Sequence, residues 1–323
     1  MLILKNEDLR LKIEDLQTKI FILPLITLTV ICLLVFFAVK NNKSFSNNVN
    51  QEPNHINKII SLAPSTTEIL FALGLGDKVI GVSEFCNWPP EAKEIPKVGG
   101  LLNPNYEAVV AARPDLVIAF DDMMQIRGKL AALGIKTLAV KHDSLDEILD
   151  SILIIGRHCG KEQKAEKIVG EIQNKILEIQ NRIPDTNRPK VLISLGHEYS
   201  QDPAALPRNI YIAGNDGFYS EMIKFSGGQN AYGGKLPFPN IGAESVISMN
   251  PQIIIDIAPA AAKQTDSQIT IQQWKKFTQI DAAKNDRIYV FTEDYTAIPG
   301  PRFILTLEKI ARIINQENEP NSN

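Results

Sequence analysis

The chain has 323 residues, enough for one or two globular domains, with the ordinary apolar content of 44% and charged content of 22%. A net charge of -3 gives no electrostatic reason to expect nucleic acid as a partner. Of the three cysteines, Cys32 lies inside an apolar run. At most one intramolecular disulfide, Cys86 to Cys159, is therefore expected, with no disulfide framework and no zinc spacing.

The first feature in chain order is an apolar run from Phe21 to Val39, FILPLITLTVICLLVFFAV, long enough to cross a bilayer as a helix of about 20 residues. It ends Phe37-Ala38-Val39-Lys40 without a small-x-small cleavage site, and Val30-Ile31 before Cys32 are not the small residues of a lipoprotein signal. An uncleaved anchor over 21–39 is expected, with 1–20 on the cytoplasmic side. A polar, Asn-rich linker over 40–57 follows.

From Lys58 short β-branched runs alternate with helical stretches. Lys58 to Leu62 reads as a strand, and Ser65-Thr66-Thr67-Glu68 reads as a capping box for a helix ending near Gly74. Val79 to Val82 reads as a strand, Asn105 to Arg113 as a helix stopped by Pro114, and Asp115 to Phe120 as a buried strand. A helix to about Leu133 and the strand Thr137 to Val140 complete a βαβ series. Such a series predicts a mostly parallel sheet with helices on both faces.

The rhythm breaks between Asp143 and Ile183, which holds no strand candidate and is helical apart from an interruption at Cys159-Gly160. A second α/β series begins at Lys190 to Ser194. It continues through the strands Ile253 to Ile257 and Arg287 to Phe291, and ends in a helix from about Pro301 to Asn315. The expected architecture is α/β: two Rossmann-like lobes, 58–142 and 188–316, joined by a long helical connector, 143–187, with a ligand cleft between them. A short tail, 317–323, closes the chain. The lobes share one local unit. Asn105-Tyr106-Glu107-Ala108-Val109 leads through a helix to Pro114 and a strand, and Gly242-Ala243-Glu244-Ser245-Val246 leads likewise to Pro251 and a strand.

These residues carry a family resemblance. Ile60-Ser61-Leu62-Ala63-Pro64-Ser65-Thr66-Thr67-Glu68, Val79 to Val82, Trp88-Pro89-Pro90-Glu91-Ala92, Pro96 to Gly100, Arg113 to Val117, Gly227 to Asn230 and Asn250 to Ile254 occur in order. As a set they resemble the helical-backbone class of ABC-importer binding proteins, which includes vitamin B12-, ferric siderophore- and haem-binding members. The region around Trp88-Pro89-Pro90 resembles the vitamin B12-binding branch. The resemblance implies a non-enzymatic protein outside the cytoplasm that needs no cofactor of its own. It would capture a metal chelate, corrinoid before ferric siderophore or haem, and deliver it to a permease and its ATPase. By motif position, Glu107 and Glu244 would be the acid on each lobe that pairs with permease arginines, where a charge-assisted carboxylate–guanidinium bond fixes orientation. An acid in the first turn of a helix also simply complements the helix dipole.

Candidate ligand groups lie on loops after the strands. In the first lobe Cys86 and Trp88 stand there. Trp88 matches an aromatic of the vitamin B12 branch, and its alternative role is packing under the Pro89-Pro90 turn. In the second lobe His197 and Tyr199 follow one strand, His197 being a candidate axial metal ligand or a loop-bound imidazole. Asp294 and Tyr295 follow another. Asp294 matches a cleft aspartate of that branch, and Arg302 would pair with an anionic ligand group or form a salt bridge at a helix start. The scattered histidines give no bare-metal cluster. Leu101 and Leu102, and an insertion over Gln201 to Asn215, depart from the vitamin B12 branch. Two other readings are an enzyme built on Cys86 with His142 or His197, which lacks any triad signature, and a membrane-tethered ligand sensor.

Overall fold

The computed structural model describes residues 56–183, 188–198, 200–215, 217–259 and 267–315. Ile56 onward forms one compact unit. The expected anchor over 21–39 and the ligand candidate Tyr199 lie outside the described residues. Among the described residues no helix is long and apolar enough to cross a membrane.

The first lobe is a four-stranded, all-parallel sheet of β1 (Ile59–Ser61), β2 (Val79–Val82), β3 (Leu116–Phe120) and β4 (Thr137–Val140), in the order β2-β1-β3-β4. Three helices alternate with these strands: α1 (Pro64–Ala72), α2 (Tyr106–Ala112) and α3 (Met124–Ala132). The central strand β3 is buried along its whole length, as an apolar run covered on both faces must be.

The start of α1 differs from the capping box read in the sequence. Pro64 occupies the first helical position, so Ala63 is the N-cap and Ser65 is already inside the helix. The Thr66 and Thr67 hydroxyls donate back to the Ala63 carbonyl at 2.9 and 3.1 Å, and no side chain caps the helix. Glu68 is thereby released from capping and points elsewhere.

The connector is two helices, α4 (Leu145–His158) and α5 (Glu162–Asn181), separated at Cys159 and at Gly160, whose φ is +68°. Ser144 caps α4 by accepting from the Glu147 N–H, with acids in the first turn and Arg157 and His158 in the last. The two helices cross closely: a Cβ on Gly156 would collide with the Ala165 Cβ. The apolar stripe of α4 packs on β4 and α1, and α5 packs on the second lobe.

The second lobe continues through β5 (Lys190–Gly196), β6 (Ile210–Ile212), α6 (Phe218–Phe225), β7 (Gln229–Asn230), β8 (Asn240–Ile241), α7 (Ala243–Met249) and β9 (Ile253–Ile257). It ends with α8 (Ser267–Lys275), α9 (Asp281–Lys284), β10 (Ile288–Phe291) and α10 (Phe303–Asn315). The sheet is mixed. β10, β9 and β5 are parallel, β6 runs antiparallel beside β5, and β8 pairs antiparallel with β6. The shared local unit recurs in three dimensions. α2 and α7 each have seven residues and end on a left-handed residue, Arg113 (φ 50°) and Asn250 (φ 45°), before the proline and the central strand.

One apolar core runs from the first lobe through α4 and α5 into the α6–α10 side of the second sheet, and a second core fills that sheet's other face around Trp274 and Phe277. Two further ties join the parts. The Glu221 carboxylate of α6 accepts the Leu145 N–H at the start of α4 at 2.6 Å, and Glu68 reaches Arg302 across the lobes. With the connector inside the core, bending it would expose apolar side chains worth about 1.5–3 kcal/mol each. A braced pair of lobes follows, not a free hinge.

Candidate functional site

In parallel α/β sheets the ligand crevice lies beyond the carboxyl ends of the strands. In the first lobe the loop leaving β2 carries Phe85 and Trp88, and the loop after Val98 carries Leu102. All three are exposed, with Trp88 43% open. These two loops lie together, the Glu84 N–H donating to the Gly99 carbonyl at 3.0 Å. Cys86 is not on the surface with them. Its side chain is fully buried, with Sγ 3.2 Å from the Ser83 hydroxyl, and burial pushes its thiol pKa up. It packs the loop down and is no ligand contact. Cys86 and Cys159 are both free thiols, so the disulfide is not formed.

His142, at the exit of β4, stacks flat on Phe120 with ring centroids 3.7 Å apart. It faces Phe218 and Phe238 of the second lobe across a cavity of about 70 Å³. Sequence reasoning passed over Leu236 and Phe238, both exposed, because they fall in a Pro-rich segment without periodicity. Apolar side chains thus stand on the rims of both lobes.

Arg302 forms the centre of a second cluster, which includes Trp88. Nη2 donates to Glu68 Oε1 at 2.6 Å, and Nη1 and Nη2 donate to the two oxygens of Asp294 at 3.0 and 3.2 Å. The guanidinium also lies over the Trp88 ring, 4.5 Å from its centroid, and 5.6 Å from that of Tyr295. A groove of about 480 Å³ opens here, lined by Glu68, Phe71, Trp88, Pro89, Pro301 and Arg302. Trp88, Asp294, Tyr295 and Arg302, chosen separately from the sequence, are therefore one cluster. Their organiser, Glu68, was missed, and it stands 234 residues from Arg302 in the chain. Only 3% of the Glu68 side chain is exposed, and burial raises its pKa against the opposing pull of Arg302. Arg302 is held by two carboxylates, so the expectation that it greets an anionic ligand group is replaced by a salt bridge at the start of α10.

His197 also differs from the axial-ligand reading. Its side chain is fully buried. Nε2 lies 3.0 Å from Asp256 Oδ2, and Nδ1 lies 3.1 Å from the Glu198 carbonyl. The Trp274 indole N–H donates to the same Asp256 oxygen at 2.6 Å, and its ring meets the imidazole edge-on. Both ring nitrogens are engaged, so none is left for iron or cobalt. A sequence signal for this cluster exists: Asp256 interrupts Ile253–Ile257, and a carboxylate in a strand buried on both faces demands partners. Among the described residues no group of three or more His, Cys, Asp or Glu converges as a metal site.

Glu107 and Glu244 occupy the first turns of α2 and α7, and both are exposed. Each helix leads into the start of a parallel strand, so its own start must lie at the strands' carboxyl end, beside the cleft. Glu244 also borders a groove of about 380 Å³ with Tyr232, Ile241, Ser245, Ser248 and Met249.

Two α/β lobes braced by a packed helical connector, with exposed aromatic and apolar rims facing a shared crevice, define a class of protein that captures a solute between its lobes. The chain belongs to the periplasmic binding protein family, whose model matches residues 59–295. It is 32% identical over 271 residues, 82% of this chain and 81% of the relative, to an ABC transporter substrate-binding lipoprotein of Bacillus subtilis, YvrC. It is 28% identical over 257 residues, 78% of this chain and 87% of the relative, to the vitamin B12-binding protein of Vibrio cholerae. A crystal structure of a possible iron-binding (periplasmic solute-binding) protein from Staphylococcus epidermidis superposes with a TM-score of 0.68 at 29% identity, over 80% of this chain and 99% of that one. The Bacillus subtilis and Staphylococcus epidermidis relatives are described as substrate- or solute-binding proteins, and this chain shares the periplasmic binding protein family's fold.

Proposed function

We propose that this protein captures a corrinoid metal chelate of the cobalamin class in the cleft and delivers it to an ABC permease and its ATPase. The observation that carries the reading is Trp88. Its ring is half-open at the cleft, backed on one face by the Arg302 guanidinium. A flat aromatic held in this way buries much apolar area against a macrocycle and adds stacking geometry. The likeness to vitamin B12-binding proteins agrees with it.

Cyanocobalamin is expected to quench Trp88 fluorescence with a Kd of about 1 µM or below. The other tryptophan, Trp274, is buried in the second core, so Trp88→Phe should remove most of the signal change. Binding of a ferric chelate or haem but not cobalamin would move the ligand to the runner-up class, which the iron-binding relative favours. No binding of any chelate would end the reading.

Glu107 and Glu244 serve as the two docking acids, and the apolar run over 21–39 tethers the protein to the cytoplasmic membrane. Mass spectrometry of the mature chain should then find the N-terminal segment intact. A first residue near position 40 would rule the tether out.

A further inference from the structure

The cation that backs Trp88 is already spent on protein carboxylates. Arg302 makes three charge-assisted bonds, to Glu68 and to both oxygens of Asp294, and its flat face is covered by Trp88. Freeing it for a ligand would leave the buried Glu68 carboxylate without a counter-charge. One of that carboxylate's oxygens, Oε2, already has no partner. Two acids against one cation leave this side of the cleft with excess negative charge. The loops after the strands add Glu84, Asp121, Asp122, Asp143, Glu198 and Asp202. The cations near them are dispersed or occupied. Lys141 bonds Glu147 at 3.2 Å and lies 4.0 Å from Asp121. Lys309 is bound to Glu293 at 2.6 Å, and Arg127 is turned back onto the Asp121 carbonyl. On the second lobe Arg208 and Lys235 are exposed, and the Glu198 N–H donates to the Arg208 carbonyl at 2.9 Å.

We propose that the caged Arg302 makes this cleft a charge filter, selecting chelates with an uncharged or cationic periphery and rejecting those that carry carboxylate or catecholate anions. This rests on the reading that a metal chelate occupies the cleft, and it specifies the chemistry of that chelate. An anionic periphery would meet acids at both rims with Arg302 already bound to Glu68 and Asp294, and like charges brought together in a partly desolvated crevice are strongly disfavoured. Amide-fringed macrocycles meet the same acids as hydrogen-bond acceptors.

The test compares ligands that share a metal and differ in charge, the corrin pair sharing its core as well. One pair is dicyano-cobinamide, fringed with amides, and dicyano-cobyrinic acid, fringed with carboxylates. A second pair is a cationic ferric trihydroxamate and a trianionic ferric tris-catecholate. In each pair that binds, the uncharged or cationic member is expected to bind the wild-type protein about tenfold or more tightly. The ratio should shrink in about 0.5 M salt. It should also shrink in Asp294→Asn, which loosens the cage at a half-exposed position. Equal or tighter binding of the anionic member, or a ratio unmoved by Asp294→Asn, overturns the filter while leaving chelate capture standing. Failure of all four chelates to bind overturns the capture reading and the filter with it.

Discussion

Replacing Glu107 and Glu244 together by alanine is expected to leave ligand binding in solution nearly unchanged and to cut import by about a hundredfold or more. Both acids are exposed and stand at starts of short helices, with Val109 and Val246 holding those helices to the core. Losing an exposed acid there costs about 0.5 kcal/mol or less of stability, mainly the favourable meeting of a carboxylate with the helix dipole. Docking is another matter. On the proposed docking, each carboxylate removed strands a permease guanidinium, a loss of about 2–5 kcal/mol when the pair is desolvated at the interface. Two such losses, on helices of different lobes, should add approximately. Ligand affinity by fluorescence and uptake in vesicles separate the two effects. Wild-type uptake by the double variant would return both residues to a dipole role.

His197→Ala is expected to be the most damaging single substitution in the second lobe, costing about 3–5 kcal/mol in urea unfolding. It leaves the Asp256 carboxylate inside the sheet with only the Trp274 indole as donor. The reason is the uncompensated charge, not the lost contact. The paired substitution His197→Phe with Asp256→Leu should therefore cost less than His197→Ala alone. A cost of under about 1 kcal/mol for His197→Ala would mean that the pair is not buried as described.

The same pair gives a pH dependence. Burial opposes the charged imidazole, but the hydrogen bond and charge of Asp256 outweigh it, so His197 titrates above its ordinary value. A raised folded-state pKa means that the protonated form contributes its full stability below the unfolded value of about 6.5. That contribution is lost as pH rises through the higher folded value. The stability gap between wild type and the His197→Phe, Asp256→Leu protein should accordingly be widest just below the unfolded value and shrink upward. A gap that widens with pH would contradict the assignment.

The amino-acid sequence determined the features that depend on neighbours in the chain. β2, over Val79–Val82, is written as four consecutive residues bounded by turn signals. α2 and α7 are written by an acid in the first turn and a proline after the last. The break at Cys159-Gly160 marks where the connector divides, because Gly160 adopts a left-handed conformation that other residues resist. From such signals the alternation of strand and helix, the two lobes and the helical connector were legible. So was the pair of exposed acids at equivalent places.

Tertiary structure alone decided what depends on distant partners. β6 and β8 have three and two residues, too few for any alternation to show; β6 exists because an edge of β5 offers it hydrogen bonds, and β8 because β6 does in turn. Glu68 sits in a stretch that reads locally as a cap. Pro64 fixes the helix start two residues earlier, and Arg302 arrives from the far end of the chain to claim the carboxylate. His197 reads as an axial metal ligand or a loop-bound imidazole until the fold places Asp256 and Trp274 around it. In each case the residue type announces a need, for a counter-charge or a hydrogen bond, and a chain of letters cannot say which distant group will meet it. That choice is made by packing, when burial makes an unpaired charge too costly to keep.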